Sequence, residues 1–145
     1  MTANKTVSIE ARSRQGFEIE VSTRQFSLTV DQPADSGGTD AGPTPLEYLF
    51  FALASCIVTV GLIKAHQERL PVRAIQVKIE GDLDTMVLMG KNTSDRAGFQ
   101  DIRVVVDVDA EMSREEKEKF VQDVELRCPV TDNIKNASSV HFVVA

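Results

Sequence analysis

Alternation of apolar and polar residues marks the beginning of the chain. Residues 6–12 and 17–22 both alternate, and a polar stretch that ends in Gly16 separates them. This pattern predicts a β-hairpin with one face exposed to water. Residues 25–30 continue the alternation and predict a third strand.

A loop without periodicity, residues 31–43, follows these strands and is rich in Gly and Pro towards its end. Such a segment interrupts regular structure. The next residues carry the signals of a helix start. Thr44 can serve as the N-cap, Pro45 suits the first helical position, and Glu47 completes a Thr-x-x-Glu capping box. We therefore predict that a helix begins here.

This helix contains a long uncharged stretch, residues 48–63, which is closed by Glu47 and Lys64. The stretch is shorter than the roughly 20 apolar residues that cross a bilayer, and small polar residues dilute it. It predicts a buried central helix rather than a membrane segment. We expect the helix to run to about Arg69, because Pro71 cannot continue it. Because this helix is apolar on most sides, we expect a sheet or a second subunit to cover it.

The second half of the chain begins with two more alternating stretches, residues 72–80 and 99–108, which predict strands. Residues 81–98 between them form a long polar connection with a short apolar island. A second capping box, Ser113-x-x-Glu116, predicts the start of another helix. Apolar residues recur at helical spacing behind it.

The end of the chain is predicted to hold a short helix and a last strand. Pro129 ends or restarts the preceding helix, and residues 131–136 allow another helical turn. Residues 139–144 alternate and predict a closing strand. We found neither an internal repeat nor a linker. The sequence therefore predicts a single domain over residues 1–145 of the α+β class.

Composition narrows the possible partners and the compartment. The chain has 145 residues and a formal net charge of −6 at pH 7, with acidic residues spread along it. This charge argues against nucleic acid and against an anionic membrane as partner. The N-terminal residues contain no apolar signal core, and two distant cysteines are not the framework of a small secreted domain. We expect a cytoplasmic protein.

Two cysteines are the candidate reactive groups. Cys56 lies inside the apolar stretch, where it is either a core residue that packs like a small hydrophobe or a reactive thiol. Cys128 opens the segment Cys-Pro-Val-Thr-Asp. If Pro129 is the first helical residue, the Cys128 thiol is an N-cap where unpaired backbone N–H groups favour a thiolate, unless the motif only terminates a helix. Any redox chemistry would run through this pair.

Metal and nucleotide sites have no sequence support. His66 and His141 stand alone in their segments, and no spacing of His, Cys, Asp and Glu predicts a zinc or iron site. Neither a phosphate-binding loop nor a dinucleotide fingerprint occurs. We therefore expect no cofactor and no metal.

Several segments resemble a known family. Residues 42–56 (GPTPLEYLFFALASC) and 127–134 (RCPVTDNI) are similar to the signature regions of the OsmC/Ohr family, the osmotically inducible and organic hydroperoxide resistance proteins. Residues 81–84 (GDLD) and 96–102 (RAGFQDI) look like the general OsmC-like branch. The resemblance covers nearly the whole chain and places both cysteines where the family has its pair.

The resemblance implies an OsmC-like fold in which antiparallel sheets wrap around long central helices in an intertwined homodimer. It also implies a thiol-dependent peroxidase that reduces organic hydroperoxides in oxidative stress defence and is itself reduced by a dithiol. Cys56 would be the peroxidatic thiol and Cys128 the resolving thiol, and a sulfenic acid on Cys56 would condense with Cys128 to a disulfide. The alternative is a non-catalytic OsmC-like protein that binds a small apolar ligand at the dimer interface.

The resemblance further implies a catalytic arginine and glutamate. In the peroxidases of the family the glutamate directly follows the proline, whereas Leu46 intervenes here. At about 100° per residue, a regular helix places Glu47 and Cys56 on opposite sides. Glu47 is therefore either a helix cap or the residue that holds the arginine. Arg24 is either that arginine or a solvated strand residue, and Arg127 is the reserve cation.

Overall fold

The structure is a computed structural model that describes residues 3–145. Over this range the chain has an α+β fold with two antiparallel sheets and four α-helices, which confirms the predicted class. The elements follow in the order β1 (Glu10–Ser13), β2 (Ile19–Thr23), β3 (Phe26–Val30), α1 (Pro45–Glu68), β4 (Val72–Asp82), α2 (Thr85–Leu88), β5 (Asp101–Ala110), α3 (Arg114–Arg127) and α4 (Pro129–Lys135).

These elements form two compact units, one that ends at Phe51 and one that begins at Ala52. The boundary falls inside α1 rather than in a linker. The single domain over residues 1–145 stays a prediction.

The first unit contains the three-stranded sheet, in the order β1-β2-β3. Its antiparallel pairing confirms the predicted hairpin and third strand. The predicted first strand is too long, because residues 6–9 are not part of the sheet. The register explains this difference: Glu10 already pairs with Ser22, so only Thr23 of β2 remains beyond this pair, and residues 6–8 have no backbone of β2 opposite them.

The loop between β3 and α1 is organised by a buried carboxylate. The side chain of Asp31, a residue with 1% of its surface exposed, accepts hydrogen bonds from the N–H groups of Gln32 (2.7 Å), Thr39 (3.1 Å) and Ala41 (3.1 Å). The Thr39 hydroxyl donates another at 2.8 Å. The N–H groups of Ala41 and Gln32 and this hydroxyl lower the pKa of Asp31 to about 2. A charged Asp31 therefore holds the loop that leads into the first helix.

Both ends of α1 agree with the sequence-based prediction. The Thr44 N–H donates to Glu47 Oε2 at 2.7 Å, and the Glu47 N–H donates to Thr44 Oγ1 at 3.3 Å. These two bonds are the predicted capping box. The helix ends at Glu68, and Arg69 adopts a left-handed conformation with φ of 54° ahead of the proline.

The second unit is built on the long antiparallel pair β4–β5. Its apolar face aligns Ile75 with Val108 and Val77 with Val106. Helix α1 approaches this face closely, since a Cβ atom at Gly61 would lie 2.5 Å from Cδ1 of Ile75. The core buried between these elements and α3 consists of Leu53, Ile57, Val60, Ala65, Val108, Ala110, Phe120, Val124 and Cys128.

A buried cation joins α1 to α3. Lys64 is 6% exposed, and its Nζ lies 2.6 Å from Glu68 Oε1 and 3.0 Å from Asp123 Oδ2. Hydrogen bonds to Glu68 and Asp123 raise the pKa of Lys64, and Lys64 in turn lowers the pKa of Asp123. The sequence suggested only that Lys64 closes the apolar stretch. In the structure it is a charged crosslink inside the helix packing.

Within the described residues, α1 is the one helix long and apolar enough to cross a membrane by length and composition. The central helix of a globular protein passes the same test. Within its unit, α1 packs on a sheet and on α3 and buries the charged group of Lys64 there. Only 22% of its most apolar window is buried, so the described chain alone does not supply the burial that was expected around most of this helix.

The last part of the chain departs from the prediction in one respect. Ser113 and Glu116 form the predicted capping box of α3, and α4 is the predicted short helix. Residues 139–144, however, do not form the predicted strand. A strand exists only by pairing, and neither sheet includes this segment. Its bulky side chains are therefore left in solvent, with Phe142 96% and Val144 97% exposed.

Phe120 is expected to dominate the packing of the second unit, because it is 2% exposed and lies where α1 meets the sheet. Truncation in Phe120→Ala should lower the free energy of unfolding by about 3–5 kcal/mol, since it leaves a cavity in a close-packed core. Leu126→Ala is the matched control, because Leu126 lies on the same helix and is 84% exposed. Leu126→Ala should change the free energy of unfolding by no more than about 0.5 kcal/mol. Urea denaturation measures both; equal losses would contradict this account of the core.

Asp31 is expected to make stability depend on pH. Its pKa in the folded protein, about 2, lies below the ordinary value near 4. The charged Asp31 therefore makes its full contribution to the free energy of unfolding above about pH 4, and this contribution is lost as the pH falls towards 2. Asp31→Asn should lower the melting midpoint at neutral pH, and the difference from the wild type should shrink over this window. Asp35→Asn is the control on the same loop, because Asp35 is exposed. A constant difference from neutral pH down to pH 2 would argue against a charged Asp31.

Candidate active site

The fold brings the two distant cysteines together in the second unit. Cys56 lies in the middle of α1 and is partly exposed, whereas Cys128 lies between α3 and α4 and is 1% exposed. Both thiols are free, and they lie near enough for each to shift the pKa of the other. The fold thus places two reduced cysteines near each other, one of them partly exposed and the other enclosed.

Cys128 occupies the N-cap position of α4, as the Cys-Pro motif predicted. Its Sγ accepts a hydrogen bond from the N–H of Thr131 at 3.4 Å. The Thr131 hydroxyl and the N–H of Val130 also act to lower the pKa of this thiol. Because Pro129 lacks an N–H, the next two amides are the ones available to the sulfur.

The two thiols differ in acidity because of these contacts. Burial raises the pKa of Cys56, and donation of its hydrogen to Cys128 raises it further, against a lowering by the N–H of Val130. Burial also acts to raise the pKa of Cys128. There, however, hydrogen bonds from the Thr131 hydroxyl, the Cys56 thiol and two backbone amides outweigh burial, and the pKa is lowered. Cys128 is therefore the more acidic thiol of the pair.

An apolar groove of about 400 Å³ lies between α1, β5, α3 and α4 in the same unit. Leu53 and Ile57, which flank Cys56 along α1, line one side of it. Thr131 lines the side formed by α4. Glu125 and Lys135, an ion pair at 2.7 Å, also border the groove. A small apolar molecule fits a groove of this size and composition.

The other two predicted site residues belong to the first unit. Arg24 lies in the two-residue turn between β2 and β3, where it has φ of 52° and its guanidinium carbon lies 5.0 Å from the ring centre of Phe26. A positive φ is uncommon for a residue other than glycine. Glu47 uses one carboxylate oxygen in the capping box of α1. Arg24 is thus a solvated turn residue rather than a strand residue, and a catalytic role for either stays a prediction.

The reserve cation, Arg127, has a partner of its own. Its Nη2 donates to Gln67 Oε1 at 2.9 Å, which links the last turn of α3 to α1. Thr131 was not among the predicted site residues, although the Cys-x-x-Thr spacing of an N-cap and its third helical residue indicated such a bond. The Lys64–Asp123 pair was not predicted either, because no sequence pattern relates residues on two different helices.

Comparisons with known proteins agree with this fold. An OsmC-like protein from Mycoplasma pneumoniae is 21% identical, with a TM-score of 0.81 over 93% of this chain and 91% of that chain. An organic hydroperoxide resistance protein OsmC from Legionella pneumophila is 16% identical, with a TM-score of 0.70 over 92% of each chain. A putative organic hydroperoxide resistance protein from Vibrio cholerae, with captopril bound in one of its active sites, is 14% identical, with a TM-score of 0.65 over 94% of this chain and 89% of that chain.

At these identities the likeness shows the fold alone. No curated protein matches the sequence. The sequence model of the family described as "OsmC-like protein" matches residues 37–142. This span includes both cysteines and the four α-helices of the described chain. This match covers well over half of the sequence, and the chain therefore belongs to the OsmC-like protein family.

Proposed function

We propose that this protein is a thiol-dependent peroxidase that reduces organic hydroperoxides through Cys56 and Cys128 and defends the cytoplasm against oxidative stress. The observation that carries the proposal is the proximity of the two reduced thiols, each of which shifts the pKa of the other, with Cys128 enclosed and Cys56 partly exposed. Membership of the OsmC-like family and the hydroperoxide resistance proteins among its structural neighbours support it.

In the first step a thiolate of Cys56 attacks the terminal oxygen of the hydroperoxide. The O–O bond breaks, Cys56 becomes a sulfenic acid, and the alkoxide takes up a proton and leaves as an alcohol. Cys128 is the acceptor for the proton of Cys56, since its sulfur already accepts that hydrogen bond. It can return the proton to the alkoxide, so the pair handles the proton without another base.

The raised pKa of Cys56 opposes this step, because the proton must move towards the more acidic sulfur. A positive charge at the reacting sulfur would reverse the balance and would also stabilise the departing alkoxide. We assign this positive charge to Arg24, as the family resemblance implies. Glu47 would hold the Arg24 side chain in the required orientation.

In the second step Cys128 resolves the intermediate. Its thiolate attacks the sulfur of the Cys56 sulfenic acid, hydroxide leaves and is protonated to water, and an intrachain disulfide forms. A dithiol then supplies two electrons and two protons and restores both thiols. The apolar groove, which is lined in part by Leu53 and Ile57 on the same helix as Cys56, favours a hydroperoxide with an apolar body over hydrogen peroxide.

We further propose that the working form is a homodimer. Within the most apolar window of α1 only 22% of the residues are buried. The exposed bulky side chains of this helix are Leu46, Leu49, Phe51, Leu62 and Ile63. Covering them with a second copy would contribute several kcal/mol at about 25 cal/mol per Å² of apolar surface. Residues 139–144, which pair with no strand in the described chain, could form a strand by pairing with the second copy.

Two observations favour a second candidate function. The pKa of Cys56 is raised, as expected for an unactivated thiol, and the groove beside it is apolar. Both features suit a non-catalytic OsmC-like protein that binds a small apolar molecule at the dimer interface. The two candidates differ in their reaction with hydroperoxides.

Turnover of cumene or tert-butyl hydroperoxide driven by dithiothreitol should disappear in Cys56→Ser, because the serine hydroxyl is not ionised near neutral pH and cannot attack the O–O bond. Consumption of hydroperoxide measures this activity. Ser55→Ala is the matched control on the neighbouring exposed residue and should retain turnover. Turnover that survives in Cys56→Ser, or that is not seen in the wild type with any hydroperoxide, would favour the binding protein.

The homodimer should persist at micromolar concentration, since a chain with so much exposed apolar helix surface has little stability alone. Sedimentation equilibrium should give about twice the chain mass, and Leu62→Glu should weaken the association because it places a charge on the exposed face of α1. A folded wild-type monomer at that concentration would refute the proposed assembly.

A further inference from the structure

The two sulfurs differ in their access to a thiol reagent. Cys128 is 1% exposed within a single chain, while Cys56 is partly exposed. A second copy of the chain can only reduce these exposures, so Cys128 remains enclosed in any assembly that keeps this packing. A reductant that approaches the oxidised pair therefore meets the sulfur of Cys56 first.

We propose that the reducing dithiol attacks the sulfur of Cys56 and expels Cys128 as a thiolate that Thr131 stabilises. The proposal rests on the proposed redox pair and adds the direction of its reduction. The reductant thiolate forms an S–S bond with Cys56 while the Cys56–Cys128 bond breaks, and that electron pair goes to Cys128. The second thiol of the reductant then attacks the reductant's first sulfur, which is bonded to Cys56, and Cys56 leaves as a thiolate. The dithiol is oxidised by two electrons and its two protons end on the cysteines.

The contacts of Cys128 suit a leaving group. Its Sγ accepts a hydrogen bond from the Thr131 N–H at 3.4 Å. The Thr131 hydroxyl and the Val130 N–H also act to lower the pKa of Cys128. These donors are in place before the reaction, and they interact more strongly with a thiolate than with a disulfide sulfur. Thiol–disulfide exchange is faster when the departing thiol is the more acidic one. Thr131 is accordingly a positioning residue that acts through Cys128.

The charged groups on the surrounding helices are engaged elsewhere. On α3 Glu125 pairs with Lys135, and Arg127 hydrogen-bonds to Gln67. The Asp132 carboxylate on α4 accepts a hydrogen bond from Asn136. On α1 the buried charge is Lys64, which is bound to Glu68 and Asp123. On the strands, Arg73 pairs with Asp109 and Arg103 with Asp82 and Asp101. The acidity of Cys128 therefore depends on neutral donors and on Cys56.

The direction of attack can be mapped on the wild-type protein. The disulfide is formed with diamide, so the experiment does not depend on peroxidase activity. A short pulse of 2-mercaptoethanol is quenched in acid, free thiols are alkylated, and peptides are analysed by mass spectrometry. The adduct should be found on Cys56 and the alkyl group on Cys128, at several quench times.

An adduct mainly on Cys128, or equally on both cysteines, would overturn the proposal. Failure of diamide to form an intrachain disulfide would overturn it together with the proposed redox pair. Correct mapping in a protein that does not reduce hydroperoxides would leave this inference standing and reject the peroxidase, so the two failures are distinguishable.

Thr131 is tested by a matched pair of variants. Thr131→Val removes the hydroxyl at nearly constant volume and should slow reduction of the diamide-formed disulfide about tenfold, the effect of losing a hydrogen bond to a charged group. Thr131→Ser keeps the donor and should remain within about twofold. The ultraviolet absorbance of the first thiolate should titrate at higher pH in Thr131→Val, a change that loss of packing alone would not cause. Equal rates and equal titrations in the two variants would reject the role of Thr131.

Discussion

The packing of α1 on the β4–β5 pair is the constraint on which the second unit depends. Gly61 lets the helix approach the sheet so closely that the side chain of Ile75 takes the place of a Cβ atom. Lys64, one turn further along, fixes the helix to α3 through Asp123. Each of these contacts sets the rotation of α1 about its axis. That rotation decides which side of the helix carries Cys56 towards the start of α4.

The lower pKa of Cys128 follows in part from the backbone around it. An oxygen at an N-cap usually receives amide hydrogens, and here a sulfur receives them from Thr131 and Val130. Cys56, in the middle of a helix, has fewer such donors because helical amides are bonded to carbonyls one turn earlier. The difference in acidity therefore reflects where the two cysteines lie in secondary structure. It also explains why the catalytic proposal needs a cation at Cys56 but none at Cys128.

Much of the fold was predictable because local signals mark it. Both capping boxes, the hairpin of the first sheet and the restart of the helix at Pro129 each depend on residues within a few positions of one another. The contact of the two thiols was predictable only through the family resemblance. Residues on different elements leave no local pattern, and so the Lys64–Asp123 pair could not be inferred.

The alternation in residues 139–144 is a correct local signal without a partner in either sheet, which is why it predicted a strand that the chain does not form. Arg24 illustrates the opposite case. Its strand-like neighbours predicted a strand residue, but a two-residue turn requires a backbone conformation that sequence alternation does not report.

A sulfur as the cap of α4 gives that helix an unusual property. The atom that accepts the Thr131 amide is also the atom that any disulfide with Cys56 would consume. A disulfide sulfur is a poorer acceptor than a thiolate, so oxidation weakens the first turn of a helix only seven residues long. The secondary structure at this point would then report the redox state of the protein, and amide exchange at Thr131 would distinguish the reduced chain from the oxidised one without any probe of the sulfurs themselves.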